Sequence, residues 1–329
     1  MHLRNQKSMQ WDLLLENFRN PALLFFILGI FASQIKSDLN VPENSSKFIS
    51  LYLLFSIGFK GGQELAHSPF STEILWALIA GLILALCVPV YVFGLSRKAF
   101  GTQTAGAIAA SYGSVSAVTF VTAISFLELQ SIHYGGHMVA VMALMEAPSI
   151  VAGVVLISLC SSEDFQWKKV TPVLRHAVTN GSVLLIAGSL VIGFISSDSQ
   201  AEGITPFTTD IFKGFLAIFL LDMGLSCGRH LKGFFRKSKN ALAVAILVPL
   251  VNGLTVAYVS QFFLSETGDR LLLTILAASA SYIAVPAAMK LAAPKANPGL
   301  YLTMALGVTF PLNVMFGIPF YLYLIENFS

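Results

Sequence analysis

Two stretches place hydroxyl groups in the middle of apolar runs, where hydroxyls are expensive to keep. The first is Ala109-Ala110-Ser111-Tyr112-Gly113-Ser114-Val115-Ser116-Ala117-Val118, inside an apolar run from residue 104 to 129. The second, Ala277-Ala278-Ser279-Ala280-Ser281-Tyr282-Ile283-Ala284-Val285-Pro286, also opens Ala-Ala-Ser. Gly and Ser make poor helix interior, through backbone entropy and competition for backbone hydrogen bonds. Irregular backbone at membrane depth is tolerated only where protein or a polar cavity covers it. A helix broken there exposes an N-terminus, which favours an anion. It also frees carbonyls that, with Ser and Thr hydroxyls, suit a hard cation such as Na⁺. The substrate-binding candidates are therefore Gly113, Ser114, Ser116 and Thr119 in the first stretch, with Ser279, Ser281 and Tyr282 in the second. For any single serine the competing reading is a bond to the carbonyl one turn back.

Glu146 lies in the middle of an apolar run, directly before Ala147-Pro148, with no basic residue near it in sequence. Ionisable groups at membrane depth are costly and mark function, so Glu146 is a candidate cation ligand or proton carrier. Ser111 joins it as a cation-coupling candidate. Lys60 and Glu64, four apart, are expected to neutralise one another as a structural pair or to snorkel toward an interface. Asp222 is expected to pair with Arg229 or to face a crevice, and Glu128 to lie at the membrane interface. Asn252 and Asn313 are expected to bond between helices. His133 and His137 lack the acidic residue of a zinc-protease pattern and read as interfacial. Cys87, Cys160 and Cys227 share no metal-like spacing and read as core packing. With no phosphate-binding loop and no nucleophile elbow, the chain shows no catalytic residue, resident metal site or organic cofactor. It reads as a transporter rather than an enzyme.

The elements that must hold these residues follow from composition. Of 329 residues, 55% are hydrophobic and 11% charged, against roughly 25% charged in a soluble domain. Mean hydropathy is +0.74. The chain is thus an all-α polytopic membrane protein embedded in a lipid bilayer. Its net charge of +3 reads as topology, not as affinity for nucleic acid. Ten spans are predicted from apolar runs, at 21–37, 46–66, 72–96, 103–129, 133–160, 179–197, 207–227, 240–264, 268–292 and 298–326. Breakers separate many of them, at Asn40-Val41-Pro42, Ser68-Pro69, Thr205-Pro206 and Asn297-Pro298-Gly299. Residues 1–20 are polar, so no cleavable signal peptide is expected.

The longest polar connection, Ser161 to His176, divides five spans from five. That gives a first repeat over 1–160, a linker over 161–178 and a second repeat over 179–329. Arg4, Lys7, Arg19, Lys213 and Arg270 share a side with the termini, and most other Lys and Arg fall opposite. The positive-inside rule then puts both termini outside the cytoplasm and the linker within it. Glycines recur at 58 and 224 and at 62 and 228, and prolines at 148 and 311. An odd number of spans per half forces the second half to enter inverted, and the fourth and ninth spans are the two broken ones.

Four collinear motifs carry a family resemblance over roughly residues 10–327. They are Ile57-Gly58-Phe59-Lys60-Gly61-Gly62, Gly113-Ser114-Val115-Ser116-Ala117-Val118-Thr119, Met145-Glu146-Ala147-Pro148 and Ala296-Asn297-Pro298. In these the chain resembles the SbtA-type sodium-dependent bicarbonate permeases of bacteria and cyanobacteria. The resemblance implies a 5+5 inverted fold with a mobile core and a gate, usually as a homotrimer in the bacterial inner (plasma) membrane. It implies Na⁺-coupled bicarbonate uptake by an elevator-type motion, with the site where the two broken helices cross. Gly113, Ser116, Thr119, Ser279 and Ser281 match the family's positions, and Glu146 stands where the family often has Asp. The second broken helix departs from the pattern: two serines are alanines and the acid is Tyr282. The 161–176 loop is short beside that of cyanobacterial members, which bears on whether the family's PII-like regulatory partner binds. The other reading is an inverted-repeat carrier of a different organic anion or of a cation.

Overall fold

The computed structural model describes residues 13–161, 171–172, 175, 179–231 and 238–327. The charged termini and most of the expected 161–178 linker lie outside the described residues. Every described element is helical. In chain order they are α1 (Leu13–Arg19), α2 (Pro21–Gln34), α3 (Glu43–His67), α4 (Thr72–Phe100), α5 (Thr102–Gly113), α6 (Ala117–Leu129) and α7 (His137–Cys160). There follow α8 (Gly181–Ile195), α9 (Asp198–Glu202), α10 (Phe212–Leu231), α11 (Lys239–Val259), α12 (Thr267–Ala278), α13 (Ala284–Ala292) and a last long helix α14 (Pro298–Asn327).

All ten expected runs are mainly helical, but fewer qualify as independent spans. Among the described residues six helices, with α5 and α6 taken as one, are long and apolar enough to cross a membrane, or seven if α1 and α2, bent by 67°, form one span. The shortfall has physical causes. Helix α3 carries Lys60, Gln63 and Glu64 along its second half, α8 has only 15 residues, and the run 268–292 is split into helices of 12 and 9. Thr205-Pro206 does not stop the chain either; a π-helical turn, Pro206–Asp210, leads into α10.

Two clusters of three helices form the body. Helices α4, α5 and α7 pack on one another, and α11, α12 and α14 do the same. Each cluster contains a proline-bent helix, and the bend is handled identically. Proline lacks an N–H and leaves the carbonyl four residues back without its helical partner. Pro89 in α4 frees the Ala85 carbonyl, which accepts from Ser149 Oγ of α7 at 2.9 Å. Pro249 in α11 frees the Ala245 carbonyl, which accepts from Thr309 Oγ1 of α14 at 2.8 Å. Helix α14 has two prolines of its own, each preceded by a π-helical turn, Thr303–Thr309 and Asn313–Gly317. Their freed carbonyls, Gly307 and Met315, accept from Cys227 Sγ at 3.7 Å and Asn17 Nδ2 at 3.1 Å.

Two close helix pairs, α2 with α10 and α3 with α8, stand beside the clusters. Small residues four apart let the backbones touch. On α10, Gly224 meets Gly29 and Gly228 meets Ser33; on α3, Gly58 meets Ser189 and Gly62 meets Gly193. The recurrent glycines of the sequence thus have matching partners in both pairs. Of the cysteines only Cys227 is a core residue. Cys160 is half-buried, and Cys87 lies on the outer face of α4 among side chains that need no protein cover in lipid.

A Cβ added to Gly224 would overlap the Phe26 carbonyl, whereas one added to Gly94 meets nothing within 4 Å. Gly224→Ala is therefore expected to lower stability by about 1–3 kcal/mol. Gly94→Ala is expected to be neutral or mildly stabilising. Thermal unfolding of the two variants in detergent compares them directly.

Candidate functional site

Helices α5 and α12 both end among buried residues, and the chain beyond each leaves helical geometry before helix resumes. Ser114, Val115 and Ser116 separate α5 from α6; residues 279–283 separate α12 from α13. Gly113 permits the first break to lie close against α4, because a Cβ there would overlap the Pro89 ring. The two breaks then satisfy each other. The Ser281 N–H donates to the Ser111 carbonyl at 2.8 Å, and Ser111 Oγ donates to the Ser281 carbonyl. The Ser116 N–H donates to Ser279 Oγ at 2.9 Å, which itself donates to the Leu276 carbonyl at 3.0 Å.

Two asparagines complete the crossing. Asn252 Nδ2 donates to the Ala277 carbonyl at 3.0 Å and Asn313 Nδ2 to the Ala278 carbonyl at 2.7 Å, covering the last turn of α12. These are the interhelical bonds expected of both. Tyr112 OH is hydrogen-bonded to Thr309 Oγ1 at 2.9 Å, which ties α5 to the second cluster.

Beside the crossing lies a cavity of about 30 Å³, room for a species of a few heavy atoms, since one water needs roughly 10–15 Å³. Ser116 and Ala117 at the start of α6 line it, with Ser281, Tyr282 and Ile283 opposite. Met142 and Glu146 of α7, Ser50 and Leu54 of α3, and Ser182 and Ile186 of α8 close it. No Lys, Arg or His is among these residues. Glu146 is half-buried and makes no hydrogen bond or ion pair with the described residues. The Tyr282 ring packs edge-on against Phe310, centroids 5.7 Å apart. Its hydroxyl, wholly covered, lies next to Ser116 yet makes no hydrogen bond of normal geometry.

Ser116, Ser281, Tyr282 and Glu146 are thus brought together on one cavity. Ser111 and Ser279 lie in the crossing, their hydroxyls used to join its strands. Thr119 sits in the first turn of α6, its N–H and Oγ1 both donating to Ser116 Oγ at 3.2 and 2.9 Å. Ser114 is fully buried with no partner for its hydroxyl, and Gly113 serves contact with Pro89. Ser50 and Ser182 were not anticipated. Each lies in the first third of its helix, Ser50 after Ser45 and Ser46, a weak signal that a search for paired polar interruptions passes over.

The remaining charges are paired differently from expectation. Lys60 Nζ meets Glu128 Oε1 of α6 at 2.8 Å, not Glu64, because the α3 face bearing Lys60 turns toward α6. Asp222 Oδ2 accepts from Ser46 Oγ at 2.5 Å and not from Arg229, which is exposed. His137, the first residue of α7, is buried, with Nε2 3.5 Å from Asp269 Oδ2. Asp269 also accepts from the Gly135 N–H at 2.6 Å. Among the described residues no three His, Cys, Asp or Glu side chains converge as a metal site.

Residues 21–326 match a family model described as the Na⁺-dependent bicarbonate transporter superfamily. No curated protein matches the chain.

Asn252→Ala and Asn313→Ala each leave a buried carbonyl of α12 without a donor, and each is expected to lower stability by about 1 kcal/mol. Lys60→Met is expected to cost more than the double variant Lys60→Met/Glu128→Gln, because the single change leaves Glu128 unpaired in a half-buried place. Thermal unfolding of the four proteins in detergent checks both statements.

Proposed function

The chain belongs to the Na⁺-dependent bicarbonate transporter superfamily, a family of transporters and not enzymes, and from that premise we propose that it carries bicarbonate inward together with Na⁺ through the cavity at the helix crossing. One observation carries the reading. The cavity offers an anion the N-terminus of α6 and several hydroxyls but no basic side chain, and its only charge is the Glu146 carboxylate. Two like charges about 5 Å apart repel by about 3 kcal/mol at an effective dielectric of about 20. While Glu146 is ionised, an anion therefore enters this site more readily with a cation that offsets it. Glu146 and the lining hydroxyls are hard oxygen donors of the kind Na⁺ takes. Ser111 contributes by joining the two breaks. The cavity's size favours a compact anion over the larger substrates of the alternative reading.

The matched clusters support a 5+5 inverted repeat with all ten runs spanning. Pro89 and Pro249, Ala85 and Ala245, and Ser149 and Thr309 correspond at one constant spacing in sequence. The cavity separates the crossing from α3 and α8, so sliding of the clusters against those helices would turn it from one side of the membrane to the other. That is an elevator-type motion, with α2, α3, α8 and α10 as the frame. The same reading includes a homotrimer in a bacterial inner membrane, both termini outside the cytoplasm. A PII-like partner would have to use the short connection after α7.

Uptake of radiolabelled bicarbonate by the purified protein in proteoliposomes tests the proposal. An inward Na⁺ gradient is expected to drive accumulation, and a K⁺ gradient is not. Ser116→Leu and Ser281→Leu are expected to abolish uptake while leaving folded, monodisperse protein. Undiminished uptake in both variants would place the path elsewhere.

A further inference from the structure

The lining holds one carboxylate and several hydroxyls that the protein does not use, those of Ser50, Ser182 and Ser281 among them, and the covered Tyr282 hydroxyl beside Ser116 also lacks a partner. Ser116 Oγ already accepts from the Thr119 N–H and Oγ1, so its own hydrogen is left for another acceptor. The Tyr282 hydroxyl, in a side chain only 8% exposed, has none in the structure. Against these donors stands Glu146, which as a carboxylate only accepts and which meets no donor among the described residues.

A buried hydroxyl without a partner costs about 1–3 kcal/mol, and a ligand that pairs all three groups at once recovers that cost. Such a ligand needs deprotonated oxygens for Ser116 and Tyr282 and an O–H for Glu146. Resting on the bicarbonate reading above, we propose that the site reads the substrate's proton. Glu146 accepts the O–H of a monoprotonated oxyanion while Ser116 and Tyr282 donate to its other oxygens. Glu146 is thereby the specificity-determining residue.

Hydrogen carbonate and nitrate make the contrast sharp. Both are planar, trigonal and singly charged, and they differ little in size, so neither the cavity volume nor the charge separates them. Nitrate carries no proton. Bound here it would turn an acceptor oxygen toward the acceptor carboxylate, leaving both unpaired. Sites built to bond a substrate hydroxyl can reject the analogue without it by about 10⁴ or more. The carboxylate's two oxygens leave room for Na⁺ on one and the O–H on the other.

Competition of nitrate against radiolabelled bicarbonate uptake in Na⁺-driven proteoliposomes tests the inference. Nitrate is expected to inhibit the unaltered protein at least about 100-fold more weakly than unlabelled bicarbonate. In Glu146→Gln the amide can present its NH₂ group, so inhibition by nitrate is expected to strengthen at least about tenfold. Glu146→Asp keeps the carboxylate and is expected to go on excluding nitrate. The inference is overturned if nitrate competes with the unaltered protein as well as bicarbonate does. It is equally overturned if Glu146→Gln changes the Na⁺ dependence alone and nitrate stays excluded. Should Glu146→Gln not transport, thermal stabilisation of that variant by nitrate against bicarbonate, in Na⁺, separates the same two outcomes. Absence of bicarbonate uptake by the unaltered protein is a different failure, that of the proposed function itself, and removes this inference with it.

Discussion

Every carbonyl freed inside an apolar bundle has to find a donor, since no solvent reaches it there. This constraint explains more of the structure than helix propensity does. Pro89, Pro249, Pro311 and Pro319 each free a carbonyl one turn back, and these four carbonyls are met from different helices: by Ser149, Thr309, Cys227 and Asn17. The prolines bend helices, and the donors decide which neighbour fits the bend. Buried hydroxyls and amides thus do the joining that charge or water would do elsewhere.

The crossing of α5–α6 with α12–α13 is the largest instance. Two helices broken among buried apolar residues would be untenable singly, but together they exchange backbone and serine bonds, with Asn252 and Asn313 closing what is left. A few groups remain beyond that exchange. They include the N-terminus of α6, the hydroxyls of Ser116 and Tyr282, and the Glu146 carboxylate across the cavity. Function is read from these leftovers. Membership of a Na⁺-dependent bicarbonate transporter superfamily is the premise of the use proposed for them, and their chemistry is the reason that proposal pairs the anion with a cation.

Much of this was legible in the residues. Ser and Gly in mid-run located both helix breaks, and Glu146 before Pro148 stood out because nothing near it in sequence could neutralise it. Glycines four apart marked the faces where α3 and α10 approach their partners. Pairings across the fold were not legible. Lys60 has Glu64 one turn away in sequence, yet meets Glu128, because which face of α3 turns toward α6 is a tertiary fact. Ser50 and Ser182 reach the cavity from α3 and α8, where a single serine gives no signal of its own. Nor could hydropathy separate spans from broken pieces. Helices α5 and α6 are covered on all sides, so buried and lipid-facing apolar residues read alike.

In the proposed function, the cavity at the crossing holds the anion with its cation. Cryo-electron microscopy of the protein in lipid nanodiscs, with Na⁺ and bicarbonate, tests it most directly. The account predicts density for a small trigonal anion bounded by Ser116, Ser281 and Tyr282, with a cation beside Glu146. An empty cavity, with bicarbonate-dependent density elsewhere in the protein, would contradict it.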